Sequence, residues 1–323
     1  MEACIIVTYR CNAKCHMCNT WQFPTKPAEE IGPDIVEKLP SNLDFINITG
    51  GEPFLRPDLA DIIAAALTKT KRLVISSNGY FTDRMMALAK QFPTIGVRIS
   101  IEGLPASNDK LRGITDGFDR GLRSLLELKA LGLKDIGFGM TVSDVNAKDM
   151  IELYHLADAM GLEFATASTH NSYYFHKQDN AFKDPEMVAR EFERISCELL
   201  KTKRIKNWFR AYFNYGMSNY VRGGKRLLPC EVGTDMFFVD PYGKVMPCNG
   251  MDTEMPMGDL TTQSFSEIWN SEQAQKVRDA VKTCDKNCWM IGSVAPAMKK
   301  DLLTPLKWII RQKLGREKNC ACR

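Results

Sequence analysis

The sequence predicts an α/β fold with a parallel sheet, an open or partial barrel of about six βα units, followed by a smaller, cysteine-bearing region. Two observations carry this. From Ile5 to Thr169, short β-rich runs alternate with helical stretches, which places parallel strands inside and helices outside. From Cys230 the texture turns irregular and holds six of the eleven cysteines. Six βα units are too few for a closed eight-stranded barrel, and function is expected at the C-terminal ends of the strands.

The predicted strands are Ile5–Thr8, Phe45–Thr49, Leu73–Ser77, Val97–Ile101, Ile136–Val142 and Phe164–Ser168. Each is a run rich in β-branched or aromatic residues. The helices between them include Asp58–Thr68, Asp83–Gln91, Phe118–Leu131 and Ala147–Met160, with apolar residues at helical spacing. Pro185–Leu200 reads as a further helix, and the stretch after it is basic and aromatic. Met236–Asp240, Pro241-Tyr242-Gly243 and Lys244–Met246 read as a β-hairpin. Phe265–Val281 reads as one helix, with Ser264 or Thr262 as its cap. From Lys299 the tail is basic and amphipathic. The expected division is a barrel over 1–200, a basic aromatic linker over 201–229, a cysteine-bearing domain over 230–298 and the tail over 299–323.

Composition narrows the class. With 323 residues and 44% hydrophobic content, a core forms without disulfides. No apolar run reaches membrane-spanning length, and the start, Met1-Glu2-Ala3, does not read as a secretory signal. An odd count of cysteines without that signal points to metal binding in a cytoplasmic protein rather than to a secreted disulfide scaffold. Net charge is +4, yet Lys201–Arg226 holds eight Lys/Arg and no acid. That stretch and the tail Leu302–Leu314 are candidate contacts for an anionic substrate or for membrane headgroups at the inner face. Ordinary solvated helix faces explain them equally simply. No recognisable RNA-binding module is present, which argues against nucleic acid.

The most informative residues are Cys11, Cys15 and Cys18, three thiols at gaps of three and two residues. A short loop so spaced can hold three corners of a four-iron cluster and leave one iron without a protein ligand. Zinc is the competing metal, but zinc sites are normally built from paired Cys-x-x-Cys knuckles. Gly50-Gly51-Glu52-Pro53 follows the second strand, Ser76-Ser77-Asn78-Gly79 the third, and Ser100-Ile101-Glu102-Gly103 ends the fourth.

The Cys-x3-Cys-x2-Cys loop followed by Gly-Gly-Glu-Pro resembles the radical S-adenosylmethionine (radical SAM) enzymes. The resemblance implies a partial (β/α)6 TIM-like barrel, a [4Fe-4S] cluster and S-adenosyl-L-methionine on the open iron. Reductive cleavage of that cofactor to a 5′-deoxyadenosyl radical would remove a substrate hydrogen atom, with the cofactors supplying the hard chemistry. By the same resemblance Gly50, Gly51, Glu52 and Pro53 would meet the methionyl amino group, and Asn78 would lie near the ligand. Ser100 and Glu102 would meet the ribose region, and Arg112 would pair with the methionyl carboxylate. Glycine at 50 and 51 would let the backbone approach the ligand. One departure is Met17, where the family often has an aromatic residue; a thioether still packs on an adenine ring.

Cys230, Cys248, Cys284 and Cys288 form a second group. Four thiolates close a cluster completely, although a zinc ribbon has the same ligand number. Beside the first motif they resemble the auxiliary-cluster extension of the SPASM/Twitch radical enzymes. The full SPASM form has more cysteines, so the shorter Twitch form with one auxiliary [4Fe-4S] cluster is expected. Cys320 and Cys322 are further candidate ligands or free thiols, and Cys4 and Cys197 are expected as buried thiols.

A closed cluster near an open one implies an electron acceptor. The expected reaction is oxidation of a small, sugar-like or lipid-linked anionic substrate, as in the Twitch dehydrogenase that oxidises an aminocyclitol hydroxyl. A flavodoxin or ferredoxin would be the reducing partner. His170, Asn171 and Arg98 are the candidate proton acceptors. The alternative is maturation of a ribosomal peptide with a separate leader-binding protein, and a non-catalytic zinc-binding interaction module is the reading from another class.

Overall fold

The computed structural model describes residues 1–251 and 253–315. Cys320 and Cys322 lie outside them.

Six parallel strands form in chain order: β1 (Glu2–Ile6), β2 (Phe45–Thr49), β3 (Leu73–Ser77), β4 (Gly96–Ser100), β5 (Ile136–Val142) and β6 (Glu163–Ser168). Each pairs with its neighbour in sequence, as right-handed βα units do. The helices between them are α1 (Pro33–Glu37), α2 (Leu59–Leu67), α3 (Thr82–Gln91), α4 (Pro105–Arg112), α5 (Gly117–Ala130) and α6 (Met150–Ala159). The predicted strands and helices recur with small boundary shifts, and the parallel βα architecture is the one expected. Ile5, Ile46, Ile48, Ile75, Ile99 and Phe138 are fully buried. Each such side chain contributes roughly 1.5–3 kcal/mol of hydrophobic stabilisation.

The chain beyond β6 departs from the expectation in three places. The stretch expected as a linker is a helix, α8 (Ile205–Val221), lying along α7 (Pro185–Lys201). Its Tyr212 and Phe213 are buried. The hairpin forms as predicted, from β7 (Met236–Val239) and β8 (Lys244–Met246), with a short β9 (Gly258–Asp259) beyond it. But β7 pairs in parallel with β1, Glu2 opposite Met236, so one nine-stranded sheet runs through both regions. β1 therefore sits between β2 and β7 and is buried along its whole length. Finally, the predicted helix Phe265–Val281 is two: α9 (Phe265–Trp269) and α10 (Glu272–Lys282). Ser264 caps the first in a capping box, and Ser271 accepts a hydrogen bond from the Ala274 N–H to start the second. The chain continues through α11 (Ile291–Lys300) and α12 (Leu303–Lys313).

Because β1–β6 are parallel, the loops that follow them gather at one end of the sheet. Most of the predicted site residues lie there.

Candidate active site

The loop that leaves β1 carries Cys11, Cys15 and Cys18, all half-buried. It is held from three directions. At its start, Arg10 donates two hydrogen bonds to Glu30, at 2.9 and 2.7 Å. The same carboxylate accepts from the Thr8 and Thr25 hydroxyls. Burial pushes the Glu30 carboxyl upward, but these bonds outweigh it and hold the group charged. In its middle, the Lys14 and His16 N–H groups donate to the Arg112 and Leu111 carbonyls at the end of α4, at 3.1 and 2.8 Å. Gly113 ends α4 in the left-handed region at φ +56°, and a Cβ there would stand 2.5 Å from the Lys14 carbonyl oxygen. At its far end, the Asn19 N–H donates to the Phe175 carbonyl at 2.8 Å, from the segment after β6.

The Gly50–Pro53 turn packs directly on this loop. The Gly51 and Glu52 N–H groups donate to the Thr8 and Arg10 carbonyls. A Cβ on Gly51 would lie 2.2 Å from the Arg10 carbonyl oxygen, and one on Gly50 would lie 2.6 Å from that of Thr8. Within the fold, the glycines make room for the β1 exit. Glu52 is fully buried, and its carboxylate accepts from the Phe54 and Asn78 N–H groups and the Ser77 hydroxyl. It ties the loop after β2 to the loop after β3. Pro53 opens the single helical turn that follows.

Asn78 donates to the Asn12 side-chain oxygen at 2.7 Å. The other end of that side chain, Asn12 Nδ2, is a buried donor with no protein acceptor. Such an atom, set between Cys11 and Asn78, suits a polar ligand that brings its own acceptors. The signal that marks Asn12 in the sequence is its place inside the cysteine triplet, and the orphaned donor shows only in three dimensions.

Ser100 ends β4, half-buried. Glu102 is 2% exposed and both of its oxygens are engaged, one by Arg112 at 3.1 Å and one by the Thr141 N–H. Arg112 is half-buried, with Cys15 and Cys11 close enough to act on its charge. Burial works against its charge, yet Cys15, Glu102 and Cys11 outweigh that and raise its pKa. Burial pushes the Cys11 thiol up to about 12 and raises that of Cys15, which Arg112 opposes. The arrangement favours ligation, where a metal replaces the proton and Arg112 balances the thiolate charge.

Cys230, Cys248, Cys284 and Cys288 all line one cavity of about 100 Å³, with His170, Arg226 and Lys286 on its wall. Two cations beside four thiols suit a group that is anionic once ligated. Cys288 is fixed by its neighbour: Trp289 is buried against α8, donating to the Phe213 carbonyl at 2.8 Å. Its ring fills the space a Cβ on Gly216 would occupy. The expected linker thus positions a candidate ligand. Among the described residues no three His, Cys, Asp or Glu side chains are arranged around a single metal ion.

Two family profiles match the chain: the radical SAM superfamily over residues 5–157 and an iron–sulfur cluster-binding domain, SPASM, over residues 230–289. The chain belongs to the radical SAM superfamily. Its barrel binds a [4Fe-4S] cluster and S-adenosylmethionine, and its SPASM region is an iron–sulfur cluster-binding domain. Among its relatives, an Fe-coproporphyrin III synthase of Methanosarcina barkeri is 34% identical over 47% of this chain but only 39% of that protein's length. An AdoMet-dependent heme synthase of the same organism is 25% identical over 84% of this chain and 83% of that protein. The mycofactocin maturase MftC of Mycobacterium tuberculosis is 29% identical over 84% and 71%. In fold, the chain is similar to anSMEcpe with bound AdoMet and a Cp18Cys peptide, with a TM-score of 0.66 at 14% identity over 98% and 99% of the two chains.

Not every predicted residue of this radical SAM enzyme reaches the site. His170, on the segment after β6, does line the cysteine cavity. Its Nδ1 lies 3.2 Å from the Ser168 carbonyl, and burial lowers its pKa, leaving the ring neutral. Asn171 accepts from the Asn180 N–H. Arg98 points elsewhere, bonding the carboxylate and carbonyl of Asp135 just before β5, at the opposite end of the strands. Its guanidinium is committed to a structural ion pair, which removes it as a proton acceptor.

Burial raises the Asp135 carboxyl, but Arg72 and Arg98 outweigh it and hold it at about 2. A depressed carboxyl contributes stability that is present above its unfolded value, 3.8, and is lost as pH falls through about 2. Arg98→Met is therefore expected to cost roughly 1–2 kcal/mol at pH 7 and to flatten the acid limb of a urea-denaturation series. Iron content should stay unchanged. Loss of S-adenosylmethionine cleavage at unchanged stability would return Arg98 to the site.

Much of the basic stretch is paired within the fold. Lys206 and Arg210 pair with Glu163, Arg204 with Asp158, and Arg222 with Glu186 and Glu193. Tyr215 stacks on Trp308 of α12. Four of the stretch's eight basic side chains are thus held by acids of neighbouring elements. Among the described residues no helix is long and apolar enough to cross a membrane. Cys4 is a buried thiol as expected, raised to about 12 by burial, whereas Cys197 is buried on α7 but is not a free thiol.

Proposed function

We propose that this radical SAM enzyme oxidises a small anionic organic substrate, with one fully ligated auxiliary cluster as electron acceptor. The observation that carries the reading is the shared cavity: Cys230, Cys248, Cys284 and Cys288 line one space together with His170. Cys11, Cys15 and Cys18 are assigned the cluster that meets S-adenosylmethionine. When bound, these groups supply one-electron cleavage of S-adenosylmethionine to a radical that removes a substrate hydrogen atom, and an acceptor for the electron released next.

The protein's own work is positioning. Gly50, Gly51, Glu52, Pro53, Asn78, Ser100, Glu102 and Arg112 are assigned to the S-adenosylmethionine site. Glu52 and Glu102 act there as braces, because their carboxylates hold backbone N–H groups of neighbouring loops. Asn12 Nδ2 and Asn78 supply amides at the centre. Arg112 balances charge at Cys15. His170, neutral through burial, accepts the proton that leaves when the substrate is oxidised. A flavodoxin or ferredoxin supplies the first electron.

A sugar-like or lipid-linked substrate is the first reading, and the heme-synthase relatives add carboxylate-bearing tetrapyrroles to the same anionic class. The mycofactocin maturase and the subtilosin biosynthesis protein AlbA of Bacillus subtilis favour a peptide as the second reading. The test is anaerobic reconstitution of the full chain with iron and sulfide, then deoxyadenosine formation with iron coproporphyrin III, a phosphorylated aminosugar and a precursor peptide. Stimulation by a small anion, with an oxidised product, is expected. Cys248→Ala should still form deoxyadenosine and lose the oxidised product. Stimulation by the peptide alone would replace the first reading with the second.

A further inference from the structure

The segment from Thr169 to Lys183, between β6 and α7, touches both groups of cysteines. On one side the Tyr174 hydroxyl donates to the Gly50 carbonyl at 2.9 Å. The Tyr174 carbonyl accepts from the Thr20 hydroxyl, which lies 3.0 Å from Cys18 Sγ. On the other side the Ser172 hydroxyl donates to the Asn249 carbonyl, next to Cys248, and the Tyr173 hydroxyl reaches the Cys248 carbonyl at 3.5 Å. Ser172 is fully buried, and its oxygen also accepts from the Tyr174 N–H at 3.1 Å. One hydroxyl thus couples the grip on Cys248 to the residue that grips the Cys18 loop.

The backbone makes this possible with a turn that few side chains adopt. His176 has φ +48°, in the left-handed region. Its N–H donates to the Tyr173 carbonyl, and its own carbonyl accepts from the Asn19 side chain at 3.1 Å. A non-glycine residue held there costs free energy that the surrounding bonds must offset.

We propose that Thr169–Lys183 is a strap that sets the two cluster sites in register, with Ser172 as its positioning residue. The inference rests on the reading of Cys230, Cys248, Cys284 and Cys288 as one cluster site. Filling that site fixes the Cys248 turn, the strap carries the constraint through Ser172 and Tyr174, and the Cys11–Cys18 loop is ordered in consequence. The strap also keeps His170, at its base, on the cavity wall.

The test uses the full chain reconstituted with iron and sulfide. Ser172→Ala should keep both clusters by iron analysis. Hydrogen exchange at the Asn19 amide, bonded to Phe175, should rise about tenfold. The electron paramagnetic resonance signal of the reduced N-terminal cluster with S-adenosylmethionine should shift, and Ser172→Thr, which keeps the hydroxyl, should restore both readouts. Unchanged exchange and an unchanged spectrum in Ser172→Ala would overturn the strap. Should Ser172→Ala fail to fold, replacing Cys230, Cys284 and Cys288 together by Ala tests the same link from the far end. Halved iron with faster exchange at Asn19 supports it, and halved iron with unchanged exchange overturns it. Full iron in that triple variant would overturn the auxiliary-site assignment, and the strap with it, by a different measurement.

Discussion

Replacing Cys11, Cys15 and Cys18 together by Ala should abolish deoxyadenosine formation and lower iron from about eight to about four atoms per chain. The loop that carries them is held by Glu30, by the end of α4 and by the segment after β6. Those anchors use backbone groups and Arg10, not the thiols. The substituted chain should therefore keep its far-UV circular dichroism and its auxiliary iron. Measuring iron, dichroism and cleavage on one preparation separates a lost ligand set from a lost fold. Cleavage that persists in the triple variant would overturn the assignment of these residues. Stoichiometric zinc in place of iron in the unsubstituted chain, with no cleavage, would favour a zinc-binding module.

Gly51→Ala is expected to be nearly as severe for a different reason. The added Cβ would sit 2.2 Å from the Arg10 carbonyl oxygen, inside any tolerable contact, and the obstacle is backbone. Relief requires the β1 exit and the Gly50–Pro53 turn to separate, which breaks the bonds from Gly51 and Glu52 to the Thr8 and Arg10 carbonyls. A cost of about 3 kcal/mol follows from overpacking alone. It falls on the residue next to Cys11, so the N-terminal cluster should be lost while the auxiliary iron remains. Normal iron and cleavage in Gly51→Ala would show that the turn moves freely.

The βα pattern was readable because strand and helix periodicities differ and each element is long enough to repeat its own. Phe45–Thr49 and Leu73–Ser77 came out to the residue. What the pattern does not encode is which strand lies beside which. Met236–Val239 reads as half of a hairpin, and nothing local says that its other edge belongs to Glu2–Ile6. The pairing of the basic stretch was hidden for a related reason. Its charge is visible in the sequence, whereas the acids that neutralise it, Asp158, Glu163, Glu186 and Glu193, lie earlier in the chain. Motif residues at strand ends were legible because short loops fix their place. Asn12, Glu30 and Ser172 were not, since what distinguishes them is a partner or an orphaned atom contributed by a remote segment.

The parallel pairing of β7 with β1 has a consequence for biosynthesis. The strand that leads into the first cysteines, Glu2–Ile6, is made long before its second neighbour, Met236–Val239. At ordinary translation rates that interval is on the order of ten seconds or more. Throughout it the nascent chain carries a one-sided strand and three uncommitted thiols. Iron delivered after Met236–Val239 has been made meets a seat supported on both edges. Iron delivered earlier meets one that is half built.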